Sequence, residues 1–365
     1  MFVFSTTQVV GLLHGHLDWG TIGGAILVAW LVWWAWTQFT WTLNAADTDH
    51  PLVRLLTLVA TAVAFFLAVG VSGSLGAGAI GFAIPYILVR LIGLALQVAV
   101  AEADPGQHQS AARRWASLSF AGLAAVIAGA VMGGPMQYGF WSLAIGLDVV
   151  AAGLAGRHEG WNLHPAHFAE RHGLIVIIAL GESLIVAAAG LTHAGGASVA
   201  RLAVGVLAVA VTCALWWSYF PYAHPALERA MATRRGAARS TLARDAYSLA
   251  FFPRVCGIIG FAVAVEAAVS HPETPLAIGA RSALAAGMVL FLGGTAVAIW
   301  RASGRILVLR AALAIVAGGA VMLAEAPPPV SLGIMLAMLV VVLAREHRTF
   351  ASGVLGPSSA SAADS

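Results

Sequence analysis

A chain of 365 residues that is 60% hydrophobic and only 10% charged, with a mean hydropathy of +0.88, lacks the polar residues that cover a soluble domain. All 19 basic residues are arginine, and the net charge of +3 is not gathered into a basic domain, so nucleic acid is excluded as a partner. Apolar stretches of roughly 18 residues or more recur from end to end, each able to cross about 30 Å of hydrocarbon as a helix. The fold class this predicts is all-α, a polytopic transmembrane helix bundle whose partner is the lipid bilayer.

Twelve segments are predicted, at 2–16, 20–42, 52–72, 76–101, 115–133, 137–155, 172–191, 199–221, 243–267, 277–299, 306–325 and 328–344. Met1–Val10 has no basic opening of the kind that a cleavable signal peptide carries. Gly20 and Gly24, four residues apart, suit close helix packing in lipid. "LVWWAWTQFTW" closes the second segment and "ALWWSYFPY" the eighth. Two readings of this echo stand: a parallel 6+6 duplication with halves 1–160 and 161–348, or two aromatic belts at one membrane interface. Belt and packing roles are the expectation for Trp30, Trp33, Trp34, Trp36 and Trp41, ahead of stacking on a ligand. Cys213 and Cys256 lie inside apolar segments and read as packing residues, with no disulfide framework or metal spacing. Residues 1–348 thus form one membrane domain, and 349–365, ending "GPSSASAADS", are expected to be a disordered tail.

The arginines test this count independently. Connections after odd-numbered segments hold only Arg201 and Arg281, while Arg90, Arg254 and Arg310 fall inside segments. Every other arginine lies in a connection after an even-numbered segment or in the tail. This bias puts those connections, and both termini, in the cytoplasm. Arg310 is near a segment end and is expected to snorkel to water.

Four segments carry a charge close to their midpoint: Arg90, Asp148, Glu182 and Arg254. Each costs roughly 2.5–3.5 kcal/mol on insertion scales, so two acids and two arginines at similar depth are expected to neutralise one another, with an arginine facing Glu182. Helical spacing puts small and polar residues beside them. Ala83, Tyr86, Gly93 and Gln97 share a face with Arg90; Ala179, Ser183, Ala187 and Gly190 with Glu182; Ala144, Ala151, Ala152 and Ala155 with Asp148. These faces should meet protein or water while Leu174, Ile177, Leu184 and Ile185 meet lipid. The charges, with Gln97 and Ser183, then either fix helix register as buried ion pairs or line a path for a solute or proton. Pro85 and Pro253 each precede one of the arginines and are expected to bend their helices.

"HFAERHGLIVIIALGESLIVAAAG", from His167 to Gly190, resembles the signature of the bacterial low temperature requirement A family. The matching positions are His167, Phe168, Glu170, Arg171, Gly173, Leu174, Leu180, Gly181, Glu182 and Ser183. "FVFSTTQV", "WWAWTQFTW" with the following "NAADTDHP", and "LWWSYF" resemble the family as well. His172 departs from it, standing where the family usually has Phe. The family's first helix also opens with Glu-Leu-Phe-Phe-Asp-Leu ahead of the Phe-Val-Phe run, whereas Met1 lies inside that helix. About 12 to 15 residues make roughly 18 to 23 Å of helix, short of a full span, so a truncated or misassigned start is expected. The resemblance implies a multi-pass protein of the bacterial inner membrane associated with growth in the cold, without a defined substrate or reaction.

His164, His167, Glu170 and His172 gather at the start of the seventh segment; His164, His167 and Glu170, at i, i+3 and i+6, share a helical face and are either a metal or pH-sensing group or interfacial polar residues, and the second is the expectation. No cofactor-binding motif, nucleotide loop or His-Glu-x-x-His zinc site occurs. "GVSG", Gly70 to Gly73, matches the Gly-x-Ser-Gly of rhomboid-type proteases, but 40 glycines make such a match common, so no enzyme is expected. The leading reading is a secondary transporter or channel-like permease for an unspecified small solute or ion. The alternative is a scaffold, sensor or assembly factor that docks partners on the Arg-rich loop from Tyr222 to Arg244.

Overall fold

The structure is a computed structural model that describes residues 2–15, 17–103, 109–155, 161–193 and 198–351. Among these the chain is helical throughout: α1 (Phe2–Leu13), α2 (Trp19–Ala45), α3 (Pro51–Gly70), α4 (Ala79–Ala103), α5 (Gln109–Met132), α6 (Gly134–Ala155), α7 (Pro165–His193), α8 (Val199–Tyr219), α9 (Ala223–Ala232), α10 (Gly236–Leu242), α11 (Phe251–Ser270), α12 (Ile278–Ser303), α13 (Val308–Leu323) and α14 (Pro328–Ala351). Each predicted segment appears as a helix, and α9 and α10 are short additions between the eighth and ninth. Among the described residues, nine helical stretches are long and apolar enough to cross a membrane, and α1 and α13 are shorter apolar helices. Helix α14 runs on to Ala351, past the start of the expected tail, whose residues from 352 lie outside the described ones.

The helix ends follow local chemistry. The Asp18 carboxylate caps α2, accepting the Gly20 and Thr21 amides at 2.9 and 3.0 Å and the Thr21 hydroxyl at 2.6 Å. The Thr21 hydroxyl, with these amides, holds its carboxyl below the ordinary 3.8. Its contribution to stability is therefore full above that value and is lost as pH falls through the lower, folded one. Asp18→Ala should melt earlier than the native protein near neutrality, and the two should converge in acid; melts followed by circular dichroism check this. At the other end of α12, Gly304 takes φ +71° and returns its amide to the Trp300 carbonyl at 2.7 Å.

Neither proline ends its helix. Pro85 sits inside α4, and Pro253 lies in the first turn of α11 just beyond a widened stretch, residues 243–249, wound as a π-helix. There the Ala250 amide reaches the Asp245 carbonyl at 2.9 Å, five residues back. Helix α11 is the most enclosed, and it packs on α12 backbone to backbone. A Cβ on Gly257 would lie 2.6 Å from the Gly287 carbonyl oxygen, and one on Gly287 2.8 Å from that of Gly257. Of the pair Gly20 and Gly24, Gly24 is closely packed, since a Cβ there would lie 2.6 Å from the Leu75 side chain and 3.2 Å from the Tyr138 hydroxyl, whereas one on Gly20 would meet only the Asp18 carboxylate.

Lipid-facing surfaces carry Leu55, Leu58, Phe65 and Phe66 on α3 and Leu174, Ile177 and Ile185 on α7, all exposed. The two tryptophan echoes occupy different environments. Trp216 and Trp217 of α8 are exposed, as in a membrane belt, whereas Trp33 and Trp34 of α2 are buried in the bundle. The Trp33 and Trp41 indoles donate to the Ser248 carbonyl at 2.8 Å and hydroxyl at 2.9 Å, tying α2 to the π-helical stretch.

Candidate functional site

Arg90 of α4 and Asp148 of α6 meet in a fork-to-fork ion pair with both N···O distances at 2.9 Å, and both are buried. The Tyr86 hydroxyl accepts from Nη1 at 2.7 Å, and Trp115 of α5 lies over the guanidinium at 6.0 Å. The Gln38 amide of α2 donates to the Arg90 carbonyl at 3.1 Å. The small and polar face expected around Arg90, Ala83, Tyr86, Gly93 and Gln97, is buried; of the one expected around Asp148, Ala144 and Ala151 are buried, Ala152 is half-buried, and the Ala155 side chain lies outside the described ones.

Beside this pair is a cavity of about 50 Å³ between α2, α4, α5, α6, α10 and the π-helical stretch. Trp34, Trp41, Trp115 and Trp161 wall it; Thr37, Gln38, Gln97, Ser240, Arg244 and Ser248 supply polar edges. Four of the lining atoms are buried without a hydrogen-bond partner: Trp34 Nε1, Thr37 Oγ1, Gln38 Oε1 and Gln97 Oε1. Gln38 has its amide nitrogen committed to Arg90, so its oxygen is the atom turned free. The nearest cation, Arg244, is balanced by Asp245 at 2.7 Å, and Asp245 also holds Arg301 of α12. The result is an aromatic chamber with two amide oxygens, a hydroxyl and an indole N–H unused, roomy enough for roughly three to five waters or a solute of that size.

The other two mid-membrane charges are not joined to this pair. Arg254 of α11 is fully buried and meets no carboxylate: Nε donates to Thr295 Oγ1 at 3.0 Å and Nη2 to the Gly294 carbonyl at 3.3 Å, both on α12. Glu182 of α7 is 9% exposed and makes no ion pair or hydrogen bond among the described residues. The expected four-charge cluster, with an arginine facing Glu182, is thus corrected to one pair and two separate charges. Each helix buries its charge against its own neighbours, α4 and α6 on α5 and α2, α11 on α12. Ser183 is buried and donates weakly, at 3.4 Å, to the Ala179 carbonyl. Arg310 does not snorkel; it forks onto Glu346 of α14, with both N···O distances at 2.8 Å, and also donates to the Ser218 carbonyl at 2.8 Å.

The signature residues of α7 divide between two faces. His167 and Glu170 are exposed and 3.7 Å apart, while Phe168 and His172 are fully buried. His172 donates from Nδ1 to the Phe168 carbonyl at 2.8 Å and lies against Trp36, Tyr247 and Phe251 at ring-centroid distances of 5.0, 4.9 and 5.1 Å. His164, His167 and Glu170 therefore share one exposed face, with the two imidazoles 6.3 Å apart, while His172 stands away from them, and no metal-binding group of three occurs among the described residues. Gly173 lets α9 approach, since a Cβ there would lie 3.2 Å from His224 Nε2; Gly181 faces open space, and Arg171 lines a lateral groove with Leu174 and Ile175.

Reactive and docking features find other uses. Ser72 is exposed, and its hydroxyl donates to the Val69 carbonyl at 3.2 Å. Both cysteines are free. On the loop from Tyr222 to Arg244, Arg234 reaches the Ala302 carbonyl at 2.8 Å and Arg239 the Leu163 carbonyl at 2.9 Å, so these arginines clamp the bundle's own connections. Sequence reasoning passed over Tyr219, Tyr247 and Ser248; a tyrosine inside an apolar segment was the signal available.

Buried ion pairs, a polar chamber walled by tryptophan and lipid-facing outer surfaces define a multi-pass helical membrane protein with a polar interior. Residues 1–344 match the family described as "Bacterial low temperature requirement A protein (LtrA)", and the chain belongs to that family. It is 25% identical over 319 residues to "Uncharacterized protein RA0937" of Rhizobium meliloti (strain 1021), an alignment covering 84% of this chain and 76% of the relative. No solved structure matches.

Proposed function

We propose that this protein is a permease of the bacterial inner membrane, with its Arg-rich end and both termini in the cytoplasm, and that it serves growth in the cold by moving a small polar solute. One observation carries this reading: the tryptophan-walled chamber inside the bundle, with four polar atoms left unpaired. Buried polar atoms are normally satisfied, so a row of them around one void marks the place of an occupant. Gln97 belongs to this chamber, and the Arg90–Asp148 pair beside it is the rigid support of its wall. The occupant is small, uncharged or singly cationic, and carries hydrogen-bond donors for Gln38, Gln97 and Thr37. The clamped arginines of the Tyr222–Arg244 loop support transport ahead of docking.

Uptake into proteoliposomes, screened over polyols, amides and small amines, tests the proposal. Gln97→Leu should lower uptake of the accepted solute by about 10-fold or more, the worth of one buried hydrogen bond, without changing the melting temperature by more than a few degrees. Uptake no faster than in protein-free vesicles across the whole panel would defeat it.

A further inference from the structure

Among the described residues four arginines are buried: Arg90, Arg254, Arg281 and Arg310. Arg90 has Asp148, Arg310 has Glu346 and Arg281 has Glu325 at 3.6 Å, but Arg254 has no acid. A guanidinium does not shed its proton, and a buried charge is normally paired. Around Arg254 the side chains offer only partial charge: the faces of Phe251 and Tyr219 at 4.2 and 4.9 Å, one threonine oxygen and one carbonyl. Its Nη1 is buried without any partner.

Two further donors near it are unused. The hydroxyls of Tyr219 and Tyr247 are buried and unpaired, and both rings pack on Phe251, at 6.1 and 6.5 Å. His172 Nε2, on the ring that packs against Tyr247 and Phe251, is a further orphan. Because His172 Nδ1 donates to Phe168, the neutral ring offers a lone pair at Nε2, which one hydroxyl or water satisfies. Donors remain in surplus, next to one uncompensated positive charge. Water would occupy the donors but leave the charge unmatched.

We infer that Arg254, with the Tyr219 and Tyr247 hydroxyls, binds a small monovalent anion of the halide type between α7, α8, α11 and α12. It is monovalent because one charge is to be matched, and small because every surrounding side chain is fully buried. None of these residues lines the tryptophan-walled chamber, so the site is independent of the solute proposed for it.

Thermal unfolding of the full-length protein in detergent, in sodium chloride or sodium bromide against sodium gluconate at equal ionic strength, tests the assignment. The native protein should show a saturable rise of about 2–5 °C with halide, and Arg254→Met should abolish it. Should Arg254→Met fail to fold, Tyr219→Phe keeps the charge and the ring, and should raise the half-saturating halide concentration about 5-fold or more. A native melting temperature indifferent to the anion, an undiminished halide rise in Arg254→Met, or an unshifted midpoint in Tyr219→Phe would each overturn the inference.

Discussion

Arg90→Leu alone should destabilise the purified protein by about 3–5 kcal/mol, and Asp148→Leu alone by a similar amount, whereas the double variant should recover most of the loss. Each single change strands a full buried charge: Asp148 loses the guanidinium that holds both its oxygens, and Arg90 would retain only Tyr86, a 3.4 Å contact to Ser119 and the face of Trp115. Removing both charges removes the penalty along with the attraction, and leucines suit a site walled by Ala83, Ala144 and Ala151. Chemical unfolding in detergent, followed by tryptophan fluorescence, gives the double-mutant cycle. Single variants that lose under about 1 kcal/mol, or a double variant as unstable as the two losses summed, would show that the pair does not act as a unit.

Glu182→Gln should reduce proton-coupled flux to the background of empty vesicles while leaving the melting temperature nearly unchanged. Glu182 differs from Asp148 in the property that matters. Asp148 is locked to a guanidinium, but Glu182 stands on a face of small residues, Ala179, Ser183 and Ala187, with no partner among the described residues. An unpaired ionisable side chain inside a membrane span is by default a pathway residue, and glutamine keeps its shape while removing the carboxylate. The expectation rests on the permease proposal. Solute uptake driven by a pH gradient in proteoliposomes is the measurement, and equal flux through both proteins would end the role given to Glu182.

The segment count was legible because hydrocarbon thickness fixes the length of an apolar helix, and the arginine alternation checks it without reference to hydropathy. The inward faces were legible for the same kind of reason: period-3.6 spacing puts Gln97 with Arg90 and Ala151 with Asp148 whatever their neighbours are. Partner choice was not, because it depends on which helices touch. Arg90 meets Asp148 across 58 residues and Arg310 meets Glu346 across 36, and no local pattern joins either pair. The α2 tryptophans resemble a membrane belt in sequence, and only the π-helical stretch laid against them, with Ser248 under Trp33 and Trp41, turns them into an inner wall. The chamber itself is contributed by six elements and their connections, which no single stretch of sequence announces.

The glycine seam between α11 and α12 has a thermal consequence. Two helices already dissolved in lipid gain no hydration entropy when they touch, so this seam depends on dispersion between close-set main chains. Hydrophobic burial weakens as temperature falls, whereas a contact of this kind carries none of that heat-capacity penalty. The most tightly joined helix pair of the bundle therefore keeps its grip on chilling, when water-driven cores begin to loosen.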